Sequence, residues 1–368
     1  MANPNKPFND LAGVPAPDLD FKDPDILIAS IATSQAIGSL NTILGADKQN
    51  ITHSLNLMSP LYVPEAVASS GIENIITTNE RIYQAKILEA GEIKPHEKEV
   101  MRYTAALIFG FKELVEKDFL ATNQYIAIQK TLEPTKSGIR KLPGTQLKNP
   151  HTGVVYYTPP EGEGLIRELL SNYEKYFNEK APEHEIFGRA AVLHYQFEAI
   201  HPFHDGNGRT GRMLIPLYLS KQRALHLPLL FVSKFILENR DDYYLLLRNV
   251  TYKGEWKPWV LYILKALEKQ AKYTLKVLQK IHDFQQELEE KLEKLVGHAY
   301  ARDIAKLLYL NPYFVQKDFE SGLKVAYVTA RKYLAILEKE QVIVKKKQPK
   351  RNRFLYVCPE YIKLLKNA

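Results

Sequence analysis

Apolar residues recur every three to four positions through most of residues 60 to 297, the period of helices with one buried stripe. Ile186, Ala190, Leu193, Phe197 and Ile200 mark one such stripe, and Pro202 ends it because a proline cannot continue the hydrogen-bond ladder. Met213, Leu214, Leu217 and Tyr218 mark the next helix, so a helix–loop–helix is expected here. A long amphipathic stretch, dense in Leu, Lys and Glu, runs from Trp256 to Val296. β-favouring runs are few and short. Lys141-Leu142-Pro143-Gly144-Thr145 and the run from Gly153 to Pro160 flank a turn-prone Asn149-Pro150-His151-Thr152 and predict a hairpin, with Pro159 and Pro160 ending its second strand. Beyond Gly297 the pattern predicts a helix over 299–310, a second after Pro312, a third over 326–340, then strands at 342–344 and 354–357. The chain is therefore expected to be mostly α, divided at 1–100, 101–297 and 298–368.

Composition narrows the class. With 45% hydrophobic and 25% charged residues over 368 positions, this is a folded chain with room for two or three cores rather than a disordered one. Its net charge of +8 is unevenly placed: residues 298–368 hold 15 Lys and Arg against 6 Asp and Glu, which leaves the first 297 residues near neutrality. Cys358 is the sole cysteine, so no intrachain disulfide can form, and a reducing, cytoplasmic setting is the expectation. Residues Met1 to Asp25 are polar and carry prolines without a leader pattern, and no uninterrupted apolar run of membrane-span length is expected.

The chemistry concentrates between the two paired helices, in His201-Pro202-Phe203-His204-Asp205-Gly206-Asn207-Gly208-Arg209-Thr210-Gly211-Arg212. Gly-Asn-Gly lets consecutive backbone N–H groups converge on an anion, and a helix beginning there adds its positive end. Arg209 and Arg212 are one turn apart, so their guanidinium groups are expected to face one polyphosphate. His201 can take the proton of a hydroxyl nucleophile. Asp205 offers the hard oxygen that Mg2+ prefers. A zinc site is disfavoured, since His194 and His201 lie seven residues apart, about 10 Å along a helix; His194 reads as packing.

This run resembles the signature of the Fic family, His-Pro-Phe-x-Asp/Glu-Gly-Asn-Gly-Arg-x-x-Arg, at all nine specified positions. The resemblance implies a helical Fic core that transfers AMP from ATP to a Ser, Thr or Tyr hydroxyl of a protein, the chain itself included among its targets. It implies His201 as base, Mg2+ at Asp205, and nucleotide contacts from Gly206, Asn207, Gly208, Arg209, Thr210, Gly211 and Arg212. Ser69, Glu73 and Asn74 match a Ser/Thr-x-x-x-Glu-Gly/Asn inhibitory motif whose glutamate pairs with the second arginine, here Arg212. The hairpin, with Val155, Tyr156 and Tyr157, resembles the flap that holds a target segment as an added strand. Tyr243 and Tyr244 resemble the tyrosines near the adenine, although core packing accounts for them almost as well. Another phosphate donor, or removal of AMP at the same site, remains open.

The basic tail reads as a winged helix, with Thr329, Arg331 and Lys332 on its third helix and Lys345, Lys346, Lys347, Lys350, Arg351 and Arg353 at the wing. Such a module contacts either DNA or protein, including a second copy of the chain in a homodimer. An alternative function is thus a DNA-binding regulator whose Fic core senses nucleotide without turning it over.

Overall fold

Asp23 accepts from the backbone N–H groups of Asp25 and Ile26, and Pro24 fixes the first helical φ, so the first long helix, α1 (Pro24–Leu44), starts there. Free of charge after Asp25, α1 is long and apolar enough to cross a membrane by length and composition, where the sequence suggested no such stretch; its interruptions are uncharged Ser, Thr, Gln and Asn. Ile26, Thr33, Ile37 and Leu40 are buried, and Thr33 Oγ1 donates to Leu264 O at 3.1 Å.

The computed structural model describes residues 3–45, 59–88, 92–148, 152–347 and 354–366. After α1 come α2 (Tyr62–Ile72), α3 (Asn79–Ala85), α4 (Pro95–Lys117), α5 (Thr122–Leu132), β1 (Leu147–Lys148) and β2 (Val155–Tyr157). There follow α6 (Glu163–Asn178), α7 (Ile186–Ile200), α8 (Asn207–Lys221), α9 (Ser233–Glu238), α10 (Arg240–Lys253) and α11 (Trp256–Val296). The remainder is α12 (His298–Leu310), β3 (Tyr313–Phe314), α13 (Gln316–Leu323), α14 (Tyr327–Lys339), β4 (Val344–Lys347), β5 (Phe354–Val357) and α15 (Pro359–Lys366). Two compact units result. One gathers described residues among 1–46, 68–75 and 102–273, and the other those among 47–67, 76–101 and 274–368, so the division falls inside α11 and not near Gly297.

In the first unit nearly every residue of α7 is buried, which explains why its sequence lacks a charged face. Around it Tyr125, Tyr173, Phe177, Phe197 and Tyr218 meet largely edge to face, with centroids 5.5–6.1 Å apart. The hairpin is antiparallel, but its first strand is Leu147–Lys148 and not residues 141–145. Pro143 has no donor and Gly144 takes φ +96°, so that stretch is a turn whose Gly144 N–H donates to Glu161 at 2.7 Å. The expected turn at 149–151 lies outside the described residues.

In the second unit the three helices stand where the periodicity placed them. A three-stranded antiparallel sheet runs in the order β3-β5-β4, with β3 unforeseen after Pro312. The expected strand at 342–344 begins only at Val344. Gln341 takes φ +56°, and the N–H groups of Val342 and Ile343 turn back to Leu337 O, which sends both side chains into the core. The basic positions Lys350, Arg351 and Arg353 lie outside the described residues.

Candidate active site

His201 caps the C-terminus of α7 in a left-handed conformation, φ 49°, that non-glycine residues seldom adopt. Its imidazole is turned so that Nδ1 lies 3.3 Å from Glu198 O. A carbonyl can only accept, so Nδ1 carries the proton and Nε2 presents the lone pair. Burial, followed by the positive charge of Arg140, pushes its pKa down to about 4, which keeps the ring neutral at ordinary pH. Arg140 is buried and secures the loop from beneath. Its Nε donates to His201 O at 2.8 Å, its Nη2 reaches Ile200 O at 3.2 Å and also Pro160 O, and its backbone N–H donates to Pro202 O.

The glycine loop opens α8. Gly206 takes φ +77°, which a side chain would resist, and the first amides of the helix follow it. Asn207 spends both ends of its side-chain amide on Phe203, accepting from its N–H and donating to its carbonyl at 2.8 Å each, so it fixes the loop's shape. A Cβ on Gly208 would lie 2.3 Å from Glu73 Oε1, so a carboxylate occupies the space over the helix start. Arg212 holds that carboxylate: Nη2 is 2.8 Å from Glu73 Oε1, while Nε donates to Ser69 Oγ and Nη2 to Ser69 O, both at 2.9 Å. Burial opposes the charge on Glu73, yet the neighbouring guanidinium keeps its pKa below the usual carboxylate value. Asn74 follows at the end of α2 with φ +63°, a conformation asparagine tolerates, and accepts from Arg240 at 3.1 Å.

Arg209 and Arg212 do not share an anion in this structure. Arg209 ties Glu133 (3.0 Å) to Asp205 (3.2 Å), whereas Arg212 binds Glu73. Asp205 also accepts from the Gly206 N–H at 2.7 Å and from Lys136 Nζ at 2.6 Å. Among the described residues no three His, Cys, Asp or Glu side chains gather as a metal cage. Asp205 is nonetheless suited to a divalent cation that takes its other ligands from phosphate and water, since a cationic amine already stands on its partly exposed carboxylate. Burial raises and Lys136 with Arg209 lowers the Asp205 pKa, leaving it ionised.

The other sequence candidates have contacts of their own, and Tyr243 and Tyr244 lie within electrostatic reach of Glu73 and Arg212. Thr210 is fully buried, and a Cβ on Gly211 would meet Glu198, Phe197 and His194, so both positions serve the packing of α8 on α7. Tyr157 is buried, with its hydroxyl donating to Ala199 O at 2.9 Å, so it anchors the hairpin. Val155 and Tyr156 are half-buried, and Tyr156 O accepts from Tyr252. Tyr243 is buried with its hydroxyl 2.9 Å from His194 Nε2, and His194 stacks on Trp259; Tyr244 is 37% exposed under Arg240. Glu133, Lys136, Arg140 and Glu198 were not singled out from the sequence. Three of them lie in a Pro- and Gly-punctuated stretch that signals a loop, but no spacing there tells which loop it meets.

Residues 27–112 match the model of the Fic/DOC family N-terminal region and residues 114–219 that of the Fic/DOC family, together just over half of the chain. Protein adenylyltransferase fic-1 of Caenorhabditis briggsae is 28% identical over 211 residues, 56% of this chain and 39% of that protein. Protein adenylyltransferase Fic of Aedes aegypti is 27% identical over 214 residues, 56% of this chain and 40% of that protein. The chain thus spans about two fifths of the length of these curated relatives. A crystal structure of a Fic family protein from Desulfovibrio desulfuricans G20 overlays with a TM-score of 0.59 at 20% identity, covering 94% of this chain and 98% of that one. Fic-1 from C. elegans overlays at 0.51 and 22% identity, over 69% and 74% of the two chains. At such identities the overlays speak for the fold.

Proposed function

Because the chain belongs to the Fic/DOC family, we propose that it is a protein adenylyltransferase, moving AMP from ATP to a hydroxyl of a protein and held in check by Glu73. The observation that carries the reading is His201, neutral and oriented by Glu198 O so that Nε2 can accept a proton beside the start of α8. In the proposed step a Ser, Thr or Tyr oxygen bonds to the α-phosphorus as the bond to the β-phosphate oxygen breaks. The hydroxyl proton passes to His201 Nε2, and pyrophosphate leaves. The first amides and positive end of α8 would stabilise the charge that develops on the phosphates.

Asp205 would hold Mg2+ once Lys136 yields its place, and the ion would offset charge on the departing pyrophosphate. Arg209, fixed between Glu133 and Asp205, would steer that carboxylate. Glu73 inhibits by filling the Arg212 fork and the space over Gly208, which the γ-phosphate would otherwise use. The β1–β2 hairpin would hold the target segment by main-chain hydrogen bonds.

Mass spectrometry of the purified chain, incubated with ATP, Mg2+ and a protein mixture, tests the proposal. An AMP adduct that grows in Glu73→Gly and vanishes in His201→Ala is expected. Absence of any adduct in both wild type and Glu73→Gly would overturn it.

A further inference from the structure

The C-terminal unit holds an exposed basic face that nucleotide transfer does not use. We propose that it binds duplex DNA, through the N-terminal half of α14 and one side of the β4–β5 hairpin.

The element order is α12, β3, α13, α14, β4, β5; α13 and α14 are joined by a short turn and pack together, and α13 also packs on β5. Leu334 and Leu337 bury the inner face of α14. Its N-terminal end is left outside, with Tyr327 57% and Val328 76% exposed, and Arg331 and Lys332 one turn on. A solitary helix end of this composition fits the major groove, where apolar side chains meet thymine methyl groups and a guanidinium meets guanine.

The hairpin supplies the cations that phosphate requires. All four residues of β4 are exposed. Cross-strand partners share a face of a sheet, so Lys345 opposite Tyr356 and Lys347 opposite Phe354 stand together. Tyr356 belongs to the same core cluster as Leu334 and Leu337 and lies within electrostatic reach of Tyr327 and Arg331, so this is the side turned to α14. Lys345 Nζ rests 4.0 Å above the Phe354 ring. Lys346 points to the opposite side, where its Nζ is 3.9 Å from Glu80, a carboxylate that Lys366 also holds at 2.8 Å. Protein-docking faces are depleted in lysine, whereas this one is rimmed by it, and charge complementarity therefore favours a polyanion.

The lysine alternation makes the proposal sharp. Anisotropy of a labelled 20-base-pair duplex of randomised sequence, titrated with the full chain between 50 and 200 mM NaCl, should show affinity falling steeply with salt. Lys345→Ala combined with Lys347→Ala should remove about two phosphate contacts, so that the wild type loses about tenfold more affinity across this range than the double variant does. Lys346→Ala should follow the wild type. Thermal melts that match the wild type establish that the variants are folded. No binding at 50 mM NaCl, an unchanged salt slope in the double variant, or a Lys346→Ala loss equal to that of the pair would each overturn the proposal. The titration contains no ATP, so its failure would leave the transfer reading untouched.

Discussion

At the scale of single residues, His201 and Glu73 make opposite demands on mutation. His201→Ala should lower transfer by about 100-fold or more, as expected for a lost general base, while ATP binding measured by calorimetry stays close to wild type. Since the imidazole is neutral above about pH 4, transfer between pH 5 and 6 should show no acid limb of imidazole origin. Glu73→Gly should raise transfer by roughly 30- to 150-fold, the release of a closed state favoured by about 2 to 3 kcal/mol. Adding Arg212→Ala should erase that gain, and single-turnover assays with labelled ATP measure both. Glu198 supplies a test in stability. Burial, reinforced by the charge of Glu73, lifts its pKa to about 7, and its Oε1 has no hydrogen-bond partner among the described residues. The folded chain thus binds this proton more tightly than the unfolded chain, so its contribution is fully present below the ordinary carboxylate pKa and is lost as pH rises towards 7. The thermal midpoint should therefore fall between pH 5 and 7 in the wild type and fall less in Glu198→Gln. His201, Glu73 and Arg212 were legible because a motif names them. Glu198 and Glu133 were not, since buried polar partners acquire meaning only when separate helices bring them together.

At the scale of elements, the catalytic loop is held as much by Arg140 as by its own glycines. Truncating Arg140 leaves the carbonyls of Pro160, Ile200 and His201 without their donor. Arg140→Ala should therefore cost about 3 kcal/mol or more in urea unfolding, since each stranded buried acceptor costs about 1 to 3 kcal/mol. Transfer should fall with it, because His201 would lose its seat. Helices α7 and α8 were readable from spacing alone, as their apolar stripes are long and Pro202 and Gly206 punctuate them. The short elements were harder to read. Two-residue strands such as β1 and β3 carry no period, and their places follow from partners distant in sequence.

At the scale of the whole molecule, the excess positive charge in the tail was visible by counting, whereas the division into units was not. Described residues among 59–67 and 76–101 join the C-terminal unit by contacts that no local pattern announces. Leu288 and Leu292, on the last turns of α11, are buried in the same core as α12–α14. A chain ended at Gly297 should consequently expose them, binding more of a hydrophobic dye and melting at lower temperature than the full chain. Gly208 has a consequence best put as heredity. The gap that admits the Glu73 carboxylate is the gap proposed for phosphate, so any side chain at 208 evicts inhibitor and substrate alike. A genetic selection for constitutive enzyme should recover changes at Glu73 or Ser69 and never at Gly208. The brake can be lost by descent in a single step, but only from the side that does no chemistry.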